Sequence, residues 1–245
     1  MSGASTNSFL VSDWYYNLVV FVCKPAFTIS SSPIVLHLNR IPHRGKVILA
    51  PTHFSEYDVP CLMAVVRRNL DFVSIRELFV KPILRWFFTN MNAFALDRSR
   101  VDPATTRTIL SRLAQNRAVV MFPEGRLRQP HESVLAGGSF KPALTRIARM
   151  SGAPIIPCVI LGTGAYTRLG GWLPLRATRY AVAFGEPFSV SESMDDDAAA
   201  RLLRQRWRAL HEELRRTPGF GKTAAGKLSR RLEHFARASA TGKPQ

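Results

Sequence analysis

From Lys46 onward the chain alternates short apolar runs with helix-patterned stretches, and this alternation limits the folds open to it. Residues 47–50, 71–75, 93–96, 118–122, 155–161 and 180–184 read as strands. Residues 57–68, 81–89 and 140–150 read as helices, the last stopped at Ser151-Gly152. Another helix begins at Asp102-Pro103, with Asp as N-cap, Pro in the first position, and Ile109, Leu110 and Leu113 on one face. Strands that alternate with helices predict a single α/β domain with a mostly parallel central sheet flanked by helices. The 245 residues, 46% of them hydrophobic, suffice for one such core.

The two ends differ from this middle. Residues 1–8 are small and polar and read as unstructured, whereas residues 9–29 carry Phe9, Trp14, Tyr15, Tyr16, Phe21 and Phe27, with Lys24-Pro25 interrupting them. This segment reads either as an aromatic, amphipathic helix in a membrane interface or as a helix packed on the core. The uncharged stretch 14–23 falls short of the about 20 residues a bilayer crossing needs, and the uncharged stretch 151–167 is broken by Gly and Pro. No basic region precedes the first apolar stretch, so it does not read as a secretory signal. Asp195, Asp196 and Asp197 open a helix at its positive end, and Leu203, Trp207, Leu210 and Leu214 give it a core-facing stripe. Beyond Pro218-Gly219 the chain is basic, with Leu228, Leu232 and Phe235 on one face, and reads as a surface helix that is either solvated or laid on acidic lipid. The expected divisions are 1–40 for the N-terminal segment, 41–217 for the domain and 218–245 for the tail.

The net charge of +17 calls for an anionic partner: nucleic acid, an acidic membrane surface or a phosphorylated small molecule. The basic residues are dispersed and carry no nucleic-acid module signature. A basic nucleic-acid- or membrane-binding protein without catalysis is the alternative of another class. Cys23, Cys61 and Cys158 form no CxxC pair and are odd in number, which points to a reducing compartment rather than a disulfide framework.

Two clusters carry chemistry. His53 and Asp58 lie five positions apart directly after the first strand. Five residues along a helix turn through about 500°, leaving the side chains about 140° apart, so the pair meets only with His53 in the loop and Asp58 in the first helical turn. Ser55 is then a candidate N-cap. A His held by a carboxylate removes a proton from a hydroxyl near neutral pH. The second cluster, Phe122-Pro123-Glu124-Gly125, follows another strand; Gly125 permits unusual backbone angles and close ligand approach, and Glu124 offers an acceptor for ligand hydroxyls. Ligands in parallel α/β sheets sit beyond the carboxyl ends of strands, so His53 and Glu124 can face one cleft.

Together these residues resemble the glycerolipid acyltransferase family, which includes the lysophosphatidate acyltransferases. His53-x4-Asp58 matches its first block, with Ser55 in register. Phe94-Ala95-Leu96-Asp97-Arg98 is similar to the second, Phe122 to Gly125 to the third, and Ala153-Pro154-Ile155-Ile156-Pro157 to the fourth. Gly138-Ser139-Phe140-Lys141 resembles the stretch between the last two. Where the family's third block usually continues Thr-Arg, this chain has Arg126-Leu127-Arg128, and Thr52 stands where Asn is frequent.

The resemblance implies an O-acyltransferase. His53 would be the general base and Asp58 would hold its tautomer, with direct transfer and no acyl-enzyme. Glu124 and Gly125 would engage the acceptor, whose phosphate would be met by Arg98, Arg126 and Lys141. Amides after His53 or near Gly125 would stabilise the oxyanion. No metal or cofactor is implied; acyl-CoA or acyl-carrier protein would be the donor. The implied acceptor is a lysophospholipid, 1-acylglycerol-3-phosphate giving phosphatidate, with another lysolipid, an amino-acid-linked lipid or a glycolipid as the alternative. The expected setting is peripheral or monotopic on the cytoplasmic face of an anionic membrane, with no nucleic-acid partner.

Overall fold

A computed structural model describes residues 3–96, 103–140, 142–174 and 178–240. In chain order the elements are α1 (Gly3–Ser30), β1 (Ile34–Leu36), β2 (Val47–Pro51), α2 (Asp58–Val65), β3 (Leu70–Ile75), α3 (Pro82–Asn90), β4 (Ala93–Leu96), α4 (Pro103–Ala114), β5 (Ala118–Val120), α5 (Ala143–Ser151), β6 (Ile155–Leu161), β7 (Ala181–Phe184), α6 (Asp196–Arg216) and α7 (Ala224–Ala240), with short 3-10 turns between them. The seven strands form one sheet in the order β1-β7-β6-β2-β5-β3-β4. Every pairing of these strands is parallel except that of β6 with β7. The expected α/β architecture with a mostly parallel sheet is therefore the observed one.

Period-two alternation along buried strands divides the interior in two. Ile48 and Ala50 of β2, with Val119 of β5, pack on Ile109 and Leu113 of α4, Leu144 and Ile147 of α5, and Leu203 and Trp207 of α6. Val47 and Leu49, with Val120, pack instead on Tyr16 and Phe27 of α1 and Cys61 and Leu62 of α2. Full burial of such a side chain is worth about 1.5–3 kcal/mol. The predicted stripe of α6 is buried throughout, and the Trp207 indole donates to the Ala50 carbonyl at 2.9 Å, joining that helix to the strand that leads to His53.

Three expectations about the ends are corrected. α1 begins at Gly3 and runs through Pro25 without a break. The ring removes one helical hydrogen bond, and Tyr16 on one side of it and Phe27 on the other are both buried, so packing holds the helix across the gap. Residues 34–36, assigned to the N-terminal segment, form an edge strand paired with β7. The basic tail is α7, an integral part of the domain: Leu232 is fully buried, while Leu228 and Phe235 pack on the same core. The face proposed for lipid is thus already covered.

α1 is fastened to the sheet by charge as well as by apolar contact. Arg117, just before β5, donates to Asp13 of α1 at 2.7 and 3.0 Å and to the fully buried Asp71 of β3 at 2.7 Å. Burial opposes charge on both carboxylates. At Asp13 the Arg117 hydrogen bonds prevail and lower the carboxyl's pKa, whereas at Asp71 burial prevails and raises it.

α6 and α7 meet through a buried His211, whose Nε2 lies 2.8 Å from the Ser229 hydroxyl. Burial, and then Arg215, push its pKa down to about 4. A folded value below the unfolded value of about 6.5 means that the unfolded chain binds more protons between those limits. Stability should fall as pH drops from about 6.5 towards 4, by roughly 2 kcal/mol at pH 5 relative to pH 7 from this group. Urea unfolding at the two pH values should show that loss, and His211→Asn should reduce it by that amount.

Candidate active site

The site stands at the carboxyl ends of three neighbouring parallel strands, β6, β2 and β5. β2 runs into the loop that carries His53, and Thr52 locks the strand's end. Its hydroxyl donates to the Ile160 carbonyl at 3.2 Å and accepts from the Ile160 amide at 3.1 Å. His53 sits in the loop and Asp58 opens α2, the arrangement that the five-residue spacing requires.

The fully buried Asp58 carboxylate turns back over the loop before it. Its Oδ2 accepts from His53 Nδ1 at 3.0 Å, from the Phe54 amide at 2.8 Å and from the Ser55 amide at 3.0 Å. Its Oδ1 accepts from the Thr163 hydroxyl. An ionised carboxylate only accepts, so Nδ1 carries the proton and Nε2 is the imidazole's free base. Ser55 acts within the turn, its hydroxyl accepting from the Tyr57 amide at 3.2 Å. The Phe122 ring stacks on the imidazole, 3.9 Å between centroids.

The loop after β5 grips the His53 backbone from the other side. Glu124 Oε2 accepts from the His53 amide at 3.0 Å, and the His53 carbonyl accepts from the Arg128 amide at 2.9 Å. Glu124 Oε1 accepts from the Val134 amide at 2.9 Å. Burial raises the Glu124 carboxyl above the usual range against the pull of these amides and of Ser133. Glu124 was expected to orient the acceptor's hydroxyls. The structure corrects this, because both of its oxygens are committed to backbone inside the protein. Glu124 is instead a clamp on the His53 backbone. Gly125 closes the turn with φ of 70°, and its amide donates to the Phe122 carbonyl.

This arrangement bears on the expected oxyanion donors, the amides after His53 or near Gly125. The amides of His53, Phe54, Ser55, Tyr57, Asp58 and Gly125 all have partners within the protein. Of the three cations expected at a phosphate, Arg98 and Lys141 lie outside the described residues. Arg126 lines the cavity, with its half-exposed guanidinium paired to Glu132 at 2.6 Å. Among the described residues, no three His, Cys, Asp or Glu side chains gather as a metal site would require.

His53 opens onto a cavity of about 810 Å³. Val19, Val20 and Phe27 of α1, Met63 of α2, Phe72 of β3, and Phe87 and Phe88 of α3 line it. Gly125, Arg126 and Leu127 border it beside the imidazole. An apolar chamber that leads to a carboxylate-held imidazole suits a ligand with a long hydrocarbon part and a reacting polar end. Sequence reasoning missed Thr163 and the inward turn of Glu124. Thr163 lies two residues beyond the strand at 155–161, but only the strand order shows that this strand neighbours β2.

The model of the Acyltransferase family matches residues 33–161. The chain belongs to this family and is an acyltransferase. It is 24% identical over 187 residues to a 1-acyl-sn-glycerol-3-phosphate acyltransferase of Bacillus subtilis, covering 74% of this chain and 88% of the relative. A Streptococcus pneumoniae protein of the same name is 26% identical over 184 residues, covering 71% of this chain and 64% of that protein. The crystal structure of the 1-acyl-sn-glycerophosphate acyltransferase PlsC from Thermotoga maritima shares the fold, with a TM-score of 0.65 and 22% identity over 89% of this chain and 85% of that one.

The clamp predicts the behaviour of Glu124 variants. Glu124→Ala strips two buried amides of their acceptor, at about 1–3 kcal/mol each. Its urea midpoint should fall together with its activity, and Glu124→Gln, which keeps one acceptor oxygen, should lose less stability. Wild-type stability and turnover in the alanine variant would refute the clamp.

Proposed function

We propose that this protein transfers a fatty acyl group from an acyl thioester to the free hydroxyl of 1-acylglycerol-3-phosphate, forming phosphatidate. The observation that carries this reading is the apolar cavity ending at an imidazole whose Nδ1 is held by Asp58. The hydrocarbon of one substrate occupies the cavity, which places its polar end beside His53. Nε2 takes the proton of the acceptor hydroxyl as the oxygen attacks the thioester carbonyl. The C–S bond breaks, and the leaving thiolate takes that proton from the imidazolium. Asp58 stabilises the transient positive charge and keeps Nε2 directed at the substrate. Arg126 meets the acceptor phosphate; its pairing with Glu132 is exposed and exchanges for a phosphate at little cost. The names of the Bacillus and Streptococcus relatives support this choice of acceptor.

The same reading places the protein on a membrane surface. Among the described residues, no helix is long and apolar enough to cross a membrane. Trp14, Leu18, Phe21 and Val22 nevertheless form an exposed stripe on α1, with Phe21 79% exposed. Val80, Ile83 and Trp86 form a second at α3, with Ile83 80% exposed and the cations Lys81 and Arg85 among them. Tyr15 stacks edge-on to Trp86 at 5.1 Å, which makes the two stripes neighbours. Both helices also wall the cavity, so an anionic bilayer against them would deliver the acyl chains directly. The three unpaired thiols favour the cytoplasmic side.

Purified protein in liposomes with labelled acyl-CoA and a panel of lysolipids tests the chemistry. His53→Ala should lower turnover at least about 1,000-fold and Asp58→Asn almost as far. Near-wild-type transfer by folded His53→Ala would overturn the base assignment. Transfer indifferent to removal of the acceptor phosphate would overturn the choice of acceptor. Flotation with anionic vesicles tests the surface: Phe21→Asp combined with Ile83→Asp should abolish co-flotation of a folded protein.

A further inference from the structure

Thr163 is fully buried, lies outside the segments that first suggested the chemistry, and donates its hydroxyl to Asp58 Oδ1. The other carboxylate oxygen already serves His53 Nδ1 and two loop amides. Among the described residues, the Thr163 hydroxyl is thus the one donor found on the oxygen facing away from the imidazole. Its own position is well supported. It follows Gly162, which has φ of 85°, and a Cβ at Gly162 would come within 2.5 Å of the Ala225 backbone nitrogen in α7. The C-terminal helix therefore packs directly against the turn that presents the hydroxyl. From β6 and α7 inward, the order of support is Gly162, Thr163, Asp58, His53.

We infer that Thr163 is a positioning residue for acyl transfer, acting through Asp58 on the orientation and proton affinity of His53. The inference rests on the assignment of His53 as the base. A hydroxyl donated to a buried carboxylate favours its charged form, while β-branching holds the Thr rotamer in place. Without that donor the carboxylate can rotate, and the His53–Asp58 pair takes up a proton more readily.

The test compares Thr163→Val with Thr163→Ser in the full-length protein on liposomes. Thr163→Val keeps the shape and removes the donor; its kcat should fall about 10- to 100-fold with KM for both substrates unchanged. The acid limb of its kcat–pH profile should move to higher pH. Thr163→Ser, which restores the donor, should recover most of the rate and the wild-type profile. If Thr163→Val does not fold, Thr163→Cys supplies a weak donor of similar size, and its kcat should be reduced with the same displacement of the acid limb. A folded valine variant with wild-type kcat and pH profile overturns the inference. So does a loss of rate that serine does not rescue and that leaves the profile in place. His53→Ala measured alongside separates the two levels: activity in that variant defeats the base assignment itself, whereas an inactive His53→Ala beside a normal Thr163→Val defeats only the role of Thr163.

Discussion

A buried carboxylate must collect donors, and this requirement organises the site. Asp58 has no exposed surface, yet it gathers the imidazole, two loop amides and a threonine hydroxyl. The loop between β2 and α2 is shaped around that oxygen pair. Leaving a buried carboxylate short of donors costs several kcal/mol, so the loop is strongly held in this conformation. The orientation of His53 is a consequence.

Glu124 repeats the device one strand away. It too is a buried carboxylate satisfied by backbone amides, and one of those amides belongs to His53. The loops after β2 and β5 are thereby joined at His53. The joint exists because β2 and β5 are parallel neighbours, which brings their carboxyl ends together. On the other side of β2, β6 leads to Thr163, two residues beyond its end. Three adjacent strands each supply one part, and the neighbouring helices α1, α2 and α3 enclose the apolar chamber that meets them.

Much of this was legible in the residues. Six strands and the helices between them followed from apolar runs and helical spacing, with β4 and β6 placed to the residue. β1 was missed because it has three residues and pairs with a strand nearly 150 positions later. The tail was misread because its apolar face suits either lipid or protein, and periodicity does not say which surface covers it. The His-x4-Asp pair was legible because a loop-to-helix junction allows that spacing to close. Glu124 was expected to face a ligand but turns to the His53 and Val134 amides, since its direction depends on amides distant in the chain.

By itself, the sequence determined the class of fold, the pairing of His53 with Asp58, and the family motifs, since these depend on local spacing and residue type. The tertiary structure decided which strands are neighbours, which way Glu124 turns, what α7 covers, and that Thr163 reaches Asp58. The reason is physical. Helical and strand periodicities are local, whereas strand order and the filling of a buried carboxylate's lone pairs are settled only when distant segments compete for the same space.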